Sequence, residues 1–182
     1  MNNRIRRDKA LLVVIDIQEK LLPFIESSER IRDKAAMMIK GAEILQLPIF
    51  AFEQYPKGLG CTVPAIKEAL GEREATEKTS FSIMGIRDFK KALKETGKED
   101  ILLLGIETHV CVLQSALDLL FEGYRVYLVA DAAGSRNVND KNVAIKRMSD
   151  AGVTVTTVEA ALFEMVDDAK DTKFKEISKL VK

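Results

Sequence analysis

The chain has 182 residues, 47% of them hydrophobic, which is enough to bury one substantial core without disulfides or a structural metal. Its 28 Lys+Arg balance 28 Asp+Glu, so charge gives no case for nucleic acid or an anionic membrane as a partner. No apolar run approaches the roughly 20 residues that span a bilayer, and two cysteines with one histidine suit neither a disulfide framework nor a zinc site.

Arg4, Arg6 and Arg7 open the chain as a basic leader, read as solvated. The apolar run after it, 10–16, ends at Asp16, too short for a signal-peptide core, and a cytoplasmic location is expected. A helical pattern follows over 28–46, then a strand at 47–53 opened by Pro48, where a missing N–H does least harm. The stretch 53–80 is rich in Pro and Gly, irregular, and predicts one short strand near 74–78. Beyond it the pattern alternates: helix 86–96, strand 100–106, helix 109–122, strand 124–131, helix 139–151 and strand 153–158. Gly97, Gly123 and Gly152 stand where left-handed residues end helices, while Gly41 weakens the first helix from within.

Strands that are apolar at nearly every position are buried on both faces, and their alternation with helices means parallel pairing through right-handed crossovers. The expected fold is α/β: a three-layer α/β/α Rossmann-like sandwich, its mainly parallel six-stranded sheet in the order 3-2-1-4-5-6. No linker or repeat divides the chain, so residues 1–182 read as a single domain. In such sheets ligands bind at the carboxyl ends of the strands, where the strand order reverses. Asp16, Glu53, Lys78, the 106–111 turn and Asp131 all fall at that edge.

The stretch "LLLGIETHVCVLQSALDLL", residues 102 to 120, turns a buried strand into an amphipathic helix within a few residues, and the turn carries Cys111. A cysteine just inside a helix N-terminus meets unpaired N–H groups that favour the thiolate and could hold an oxyanion, which is the logic of an acyl-transfer site. Free cysteine is also among the most buried residue types, so packing and reaction stand as equal alternatives here. His109, two residues away, points elsewhere on a helical turn and suits a polar rim or an interface. Asp16 is the better base: its strand is central, and a partly dry crevice would raise its pKa toward a useful range. Lys78 would add a fixed positive charge between carboxylate and thiolate. The plain alternatives are a helix cap for Asp16 and a surface charge for Lys78.

Taken together, "VVIDIQ" with Asp16 and Gln18, "EKTSFS" with Lys78 and "GIETHVCV" with Cys111 resemble the isochorismatase-like cysteine hydrolases, and the resemblance runs through "VADAAGSR" to "AGVTVTTVEAALFEM". It implies an Asp16–Lys78–Cys111 triad cleaving a C–N bond of a small non-peptide amide through a thioester. It also implies a cis peptide at Ile106–Glu107, so that the N–H groups of Glu107 and Cys111 face the oxyanion. The paired histidines of nicotinamidases have no counterpart in "EQYPKGLGCTVP", which resembles a metal-free subgroup, the isochorismatase-domain-containing proteins. No metal or cofactor is expected.

Gln18, Glu53, Tyr55, Phe81 and Ile106 are the expected pocket lining for a small-molecule substrate. Cys61 either faces Cys111 or is a plain loop cysteine, and Ser135 with Arg136 and Asp131 is expected to brace the site loops. The resemblance further implies a homo-oligomer, for which Val143, Ile145 and Met148 offer a surface if they are not core. Two rivals remain: vinyl-ether hydrolysis with Asp16 as acid, and an idle binding protein of the same fold. RNA cleavage has little support, since no basic stripe is present.

Overall fold

A computed structural model describes residues 3–182. Its six strands are β1 (Ala10–Ile15), β2 (Ile49–Gln54), β3 (Thr76–Lys78), β4 (Asp100–Ile106), β5 (Arg125–Gly134) and β6 (Thr154–Thr156). They form one sheet in the order 3-2-1-4-5-6, every pair parallel. The expected α/β/α sandwich and strand order are therefore observed. The order reverses between β1 and β4, so the chain leaves those two adjacent strands in opposite directions and opens a crevice above them.

Among the described residues eight α-helices cover the sheet: α1 (Ser28–Ile44), α2 (Pro56–Leu59), α3 (Pro64–Leu70), α4 (Arg87–Glu95), α5 (Leu113–Phe121), α6 (Val138–Ala151), α7 (Val158–Val166) and α8 (Phe174–Leu180). Alternation along β1 divides the core. Leu12 and Val14 pack with Met38 and Ile39 of α1, Ile66 of α3, Leu162 of α7 and Ile177 of α8. Leu11, Val13 and Ile15 face Phe89 and Leu93 of α4, Ala116 and Leu119 of α5, and Met148 of α6. Burial on both faces is why β1 and β4 read as unbroken apolar runs.

The structure departs from expectation in several places. The 53–80 stretch holds two short helices, α2 and α3, each opened by a proline in its first turn, where the missing N–H is no loss. Asp131 lies within β5, which continues to Gly134; its Oδ1 accepts the N–H of Val158 at 2.9 Å. Gly41 is explained by packing, because a Cβ there would run into the Leu162 side chain. The leader is tied down rather than solvated. Arg6 binds Asp100, whose side chain is wholly buried, through its backbone N–H at 2.8 Å and its guanidinium at 2.7 Å. Arg125 joins the same carboxylate, Arg4 pairs with Asp167, and Arg7 reaches Asp171 at 3.2 Å.

At the far end, β1 and β4 approach too closely for any side chain between them. Gly105 has φ +126, and a Cβ there would overlap the Ile15 carbonyl. Among the described residues no helix is long and apolar enough to cross a membrane.

Candidate functional site

Asp16 leaves β1 with φ +54, a left-handed turn that aspartate tolerates better than most residues. Its N–H donates to Phe52 O at 3.1 Å and its carbonyl accepts from Gln18 at 2.8 Å, which fixes the carboxylate above the sheet. Lys78 ends β3, two strands away and aligned with Gln54 of β2, so its long side chain must cross β2 to reach β1. It does: Nζ lies 2.7 Å from Asp16 Oδ2, with both side chains at 0% exposure. The Lys78 ammonium also donates to Gln54 Oε1 at 2.7 Å, Phe81 O at 3.2 Å and Ser80 O at 3.3 Å.

Cys111 completes the group from the turn after β4. The Ile106–Glu107 peptide is cis, and Thr108–Val112 form a π-helical turn that runs into α5. The thiol is buried and close enough to Asp16 and Lys78 for both charges to act on it. Three strand ends thus bring together a carboxylate, an ammonium and a sulfur. Burial, and after it the Asp16 carboxylate, pushes the Cys111 thiol from 9.0 up to about 12, against the pull of Lys78. This overturns the expectation of a thiol lowered by the helix N-terminus: desolvation and a neighbouring negative charge outweigh the helix. Burial likewise raises Asp16 above its ordinary 3.8, opposed by Lys78 and the thiol, as expected of a carboxyl in a dry crevice. Asp16 Oδ1 and Thr108 Oγ1 are the buried side-chain atoms left without a hydrogen bond among the described residues. Both belong to this edge, and orphaned buried polar atoms cluster where a ligand or a reaction uses them.

The turn is braced from β5. Glu107 Oε1 accepts the Arg136 backbone N–H at 3.2 Å and its Nε at 2.9 Å, while His109 Nδ1 pairs with Ser135 Oγ at 2.9 Å. Ser135 and Arg136 brace the loop as expected. Asp131 instead ties the start of α7, with Lys34 3.9 Å away.

The expected lining fares unevenly. Tyr55 and Phe81 are 55% and 52% exposed, and Tyr55 with Lys78, Glu77 and Thr79 lines a hollow of about 260 Å³. Gln18 does not face a substrate: it is wholly buried, and its amide bonds Gln54 N at 2.8 Å, Gln54 O at 3.0 Å and Gly60 O at 2.7 Å. Glu53 points to the other side of β2, where its Oε1 takes the Thr62 N–H and hydroxyl at 2.5 and 2.7 Å. Ile106 is sealed in the core on the face opposite Cys111. Period-two alternation explains both displacements, since neighbours on a strand point to opposite faces. Cys61 is exposed, beside Glu53 in a separate hollow, and does not share the buried setting of Cys111.

Gln54 was not among the expected site residues, yet it touches the Lys78 ammonium. Its signal was faint: it shares a face with inward-pointing Phe52, two residues earlier on β2. Among the described residues no cluster of three or more His, Cys, Asp or Glu stands in metal-binding proximity.

The model of the isochorismatase domain matches residues 10–160. Isochorismatase domain-containing protein 1 of Salmo salar is 41% identical over 168 residues, covering 92% of this chain but 59% of its own length, so the chain spans little more than half of that relative. Isochorismatase domain-containing protein 2A of Mus musculus is 41% identical over 180 residues, covering 98% of this chain and 85% of its own. A solved structure described as the MAR1 ribonuclease of Caenorhabditis elegans superposes with a TM-score of 0.93 at 41% identity, covering 98% of this chain and 92% of its own. The Escherichia coli YcaC gene product, described as an octameric hydrolase of unknown specificity, superposes with a TM-score of 0.91 at 26% identity, over 97% and 88% of the two chains.

Proposed function

The chain belongs to the isochorismatase family and carries its hydrolase fold, and from that footing we propose that it hydrolyses a C–N bond of a small non-peptide amide through a thioester on Cys111. The observation that carries the proposal is the buried meeting of Asp16, Lys78 and the Cys111 thiol at the strand-order reversal.

With the thiol pushed up to about 12 by burial and the Asp16 charge, very little of it is ionised at pH 7. A free thiolate is therefore the wrong starting point. The proton must leave during attack, and Asp16 is the base in reach. Burial makes it a stronger base than an ordinary carboxylate, and Lys78 keeps it ionised before the reaction.

In this mechanism Asp16 accepts the Sγ proton as sulfur bonds to the amide carbon, and the carbonyl π electrons move onto oxygen. The N–H groups of Glu107 and Cys111 receive that oxyanion, held in place by the Arg136 brace on Glu107. Collapse breaks the C–N bond, and Asp16 hands its proton to the leaving nitrogen. Water then attacks the thioester with Asp16 again accepting a proton. The second collapse releases the acid and returns the proton to sulfur. Exposed Tyr55, which lines a hollow with Lys78, favours a small, flat or apolar acyl group. A homo-oligomer forms part of the proposal, supported by the octameric E. coli relative. Met148 is buried and Ile145 half-buried, so Val143 is the member of that stripe left for an interface.

RNA cleavage is the second reading, and it comes from the name of the C. elegans relative. The lysine at this site is buried with every donor engaged, whereas phosphate-backbone binding relies on accessible cations. A panel of small amides and a short RNA, each assayed with wild type and Cys111→Ala, separates the readings. Amide turnover lost in Cys111→Ala supports the proposal. Full amide turnover in that variant, or Cys111-independent RNA cleavage without amide turnover, refutes it.

A further inference from the structure

We propose that Gln54 is a positioning residue for the trio: it holds the Lys78 ammonium against Asp16 and, being uncharged, leaves Asp16 as the single carboxylate that the lysine neutralises. The inference rests on Asp16 being the base for Cys111, and carries it to the residue that ends β2.

An ammonium has three donors and no acceptor. Around Lys78 Nζ stand Asp16 Oδ2 and Gln54 Oε1, each at 2.7 Å, with the Phe81 and Ser80 carbonyls at 3.2 and 3.3 Å sharing what remains. All three hydrogens are thus spent inside the protein. Lys78 acts on the reaction as a fixed charge, and its position depends on what holds its other hydrogens.

Gln54 is itself held on every side. Its Nε2 donates to Thr79 O at 2.8 Å, which decides which end of the amide faces Lys78. Its backbone N–H and carbonyl are both gripped by buried Gln18, two residues beyond Asp16. The contacts close a ring: Asp16 to Gln18 along the chain, Gln18 to Gln54, Gln54 to Lys78, and Lys78 back to Asp16. Such a ring fixes the ammonium relative to the very carboxylate it serves.

The identity of the amide also matters. Glutamate has the same shape and accepts as well, but it would bring a second negative charge to one ammonium. Lys78 would then be shared, and Asp16, already raised by burial and acted on by Lys78 and Cys111, would hold its proton to higher pH. A carboxyl kept protonated cannot take the proton of the thiol.

The test follows iodoacetamide labelling of Cys111 against pH in wild type, Gln54→Glu, Gln54→Met and Asp16→Asn. It is read peptide by peptide, because exposed Cys61 labels on its own and serves as an internal reference. Gln54→Glu should move the acid limb of the Cys111 profile to higher pH, labelling about tenfold more slowly there while meeting the wild-type plateau. Gln54→Met, which keeps length but removes the acceptor, should slow Cys111 at every pH, with the Cys61 rate unchanged. An undisplaced acid limb in Gln54→Glu overturns the assignment. Should Gln54→Glu fail to fold, a wild-type rate in Gln54→Met overturns it. Loss of the wild-type acid limb in Asp16→Asn alongside wild-type profiles at position 54 would refute the role of Gln54 alone. An acid limb that stays at its wild-type pH in Asp16→Asn would refute Asp16 as the titrating base and, with it, the positioning residue.

Discussion

Replacing Lys78 by methionine removes the charge from the buried pair while keeping most of the side-chain volume, so packing losses stay small. The charged atoms lie 2.7 Å apart with both side chains at 0% exposure. At an effective dielectric near 20 that attraction is about 6 kcal/mol. Without the lysine, an ionised Asp16 would bear a burial penalty of the order of the attraction that offset it, or it could take up a proton. For a carboxyl with an ordinary value of 3.8, protonation at pH 7 costs about 1.4 kcal/mol for each of roughly three pH units, about 4 kcal/mol in all. The smaller cost wins, and Lys78→Met should carry a protonated Asp16.

Because burial of the lysine is relieved and wild-type Asp16 is itself raised, the expected loss at pH 7 is about 2–4 kcal/mol, within the range for one-sided removal of a buried ion pair. Its pH dependence is diagnostic. In the variant the folded state binds a proton that the unfolded state lacks above 3.8, so stability falls as pH rises, by up to about 1.4 kcal/mol per pH unit. Wild-type Asp16, raised less because Lys78 opposes burial, falls over a shorter interval. The deficit should therefore widen from acid to neutral pH and close on acidification. Urea unfolding of both proteins at a series of pH values, followed by far-UV circular dichroism, measures it. A deficit that does not change with pH would refute the reasoning, because it would mean that the loss is packing and not charge.

Two further substitutions test the frame around the site. Gly105→Ala should cost about 3–5 kcal/mol in urea unfolding, since alanine at φ +126 is strained and its Cβ would strike the Ile15 carbonyl beneath Asp16; a loss below about 1 kcal/mol would contradict the close approach of β1 and β4. Asp100→Asn should cost about 1–3 kcal/mol at pH 7 by removing the charge bonded to Arg6 and Arg125. Burial alone would raise Asp100, yet bonds from Arg6 and Arg125 more than offset it, and its carboxyl sits below the ordinary 3.8. Its stabilisation is present above 3.8 and is lost as pH falls through the depressed value. The gap between Asp100→Asn and wild type should accordingly close in acid, and a gap that persists there would contradict the ion-pair assignment.

Local pattern determined much of this protein. Runs that are apolar on both faces can only be interior parallel strands, and β1 and β4 are written that way in residues 10–15 and 100–106. Their strand ends carry Asp16 and the cysteine turn, so the sequence alone brought the trio to one edge. The helices α3 and α7 are not legible in the sequence: each is short, and its apolar stripe acquires meaning only from the sheet face it covers.

What tertiary structure decided is where each polar group finds its partner. Gln18, Glu53 and Ile106 lie near the crevice in sequence, but the two-residue alternation of strands and the closure of the 53–62 loop turn them into a clamp, a loop tie and core. Arg6 looked solvated because its partner, Asp100, is 94 residues away. The thiol shows the same thing most sharply. A helix start lowers a cysteine pKa and can be read from neighbours along the chain, whereas burial and the Asp16 charge, which raise it to about 12, arise from atoms that only folding brings near. Hydrophobic periodicity is local and additive, and so it is legible in one dimension; desolvation and pairing depend on distance in three.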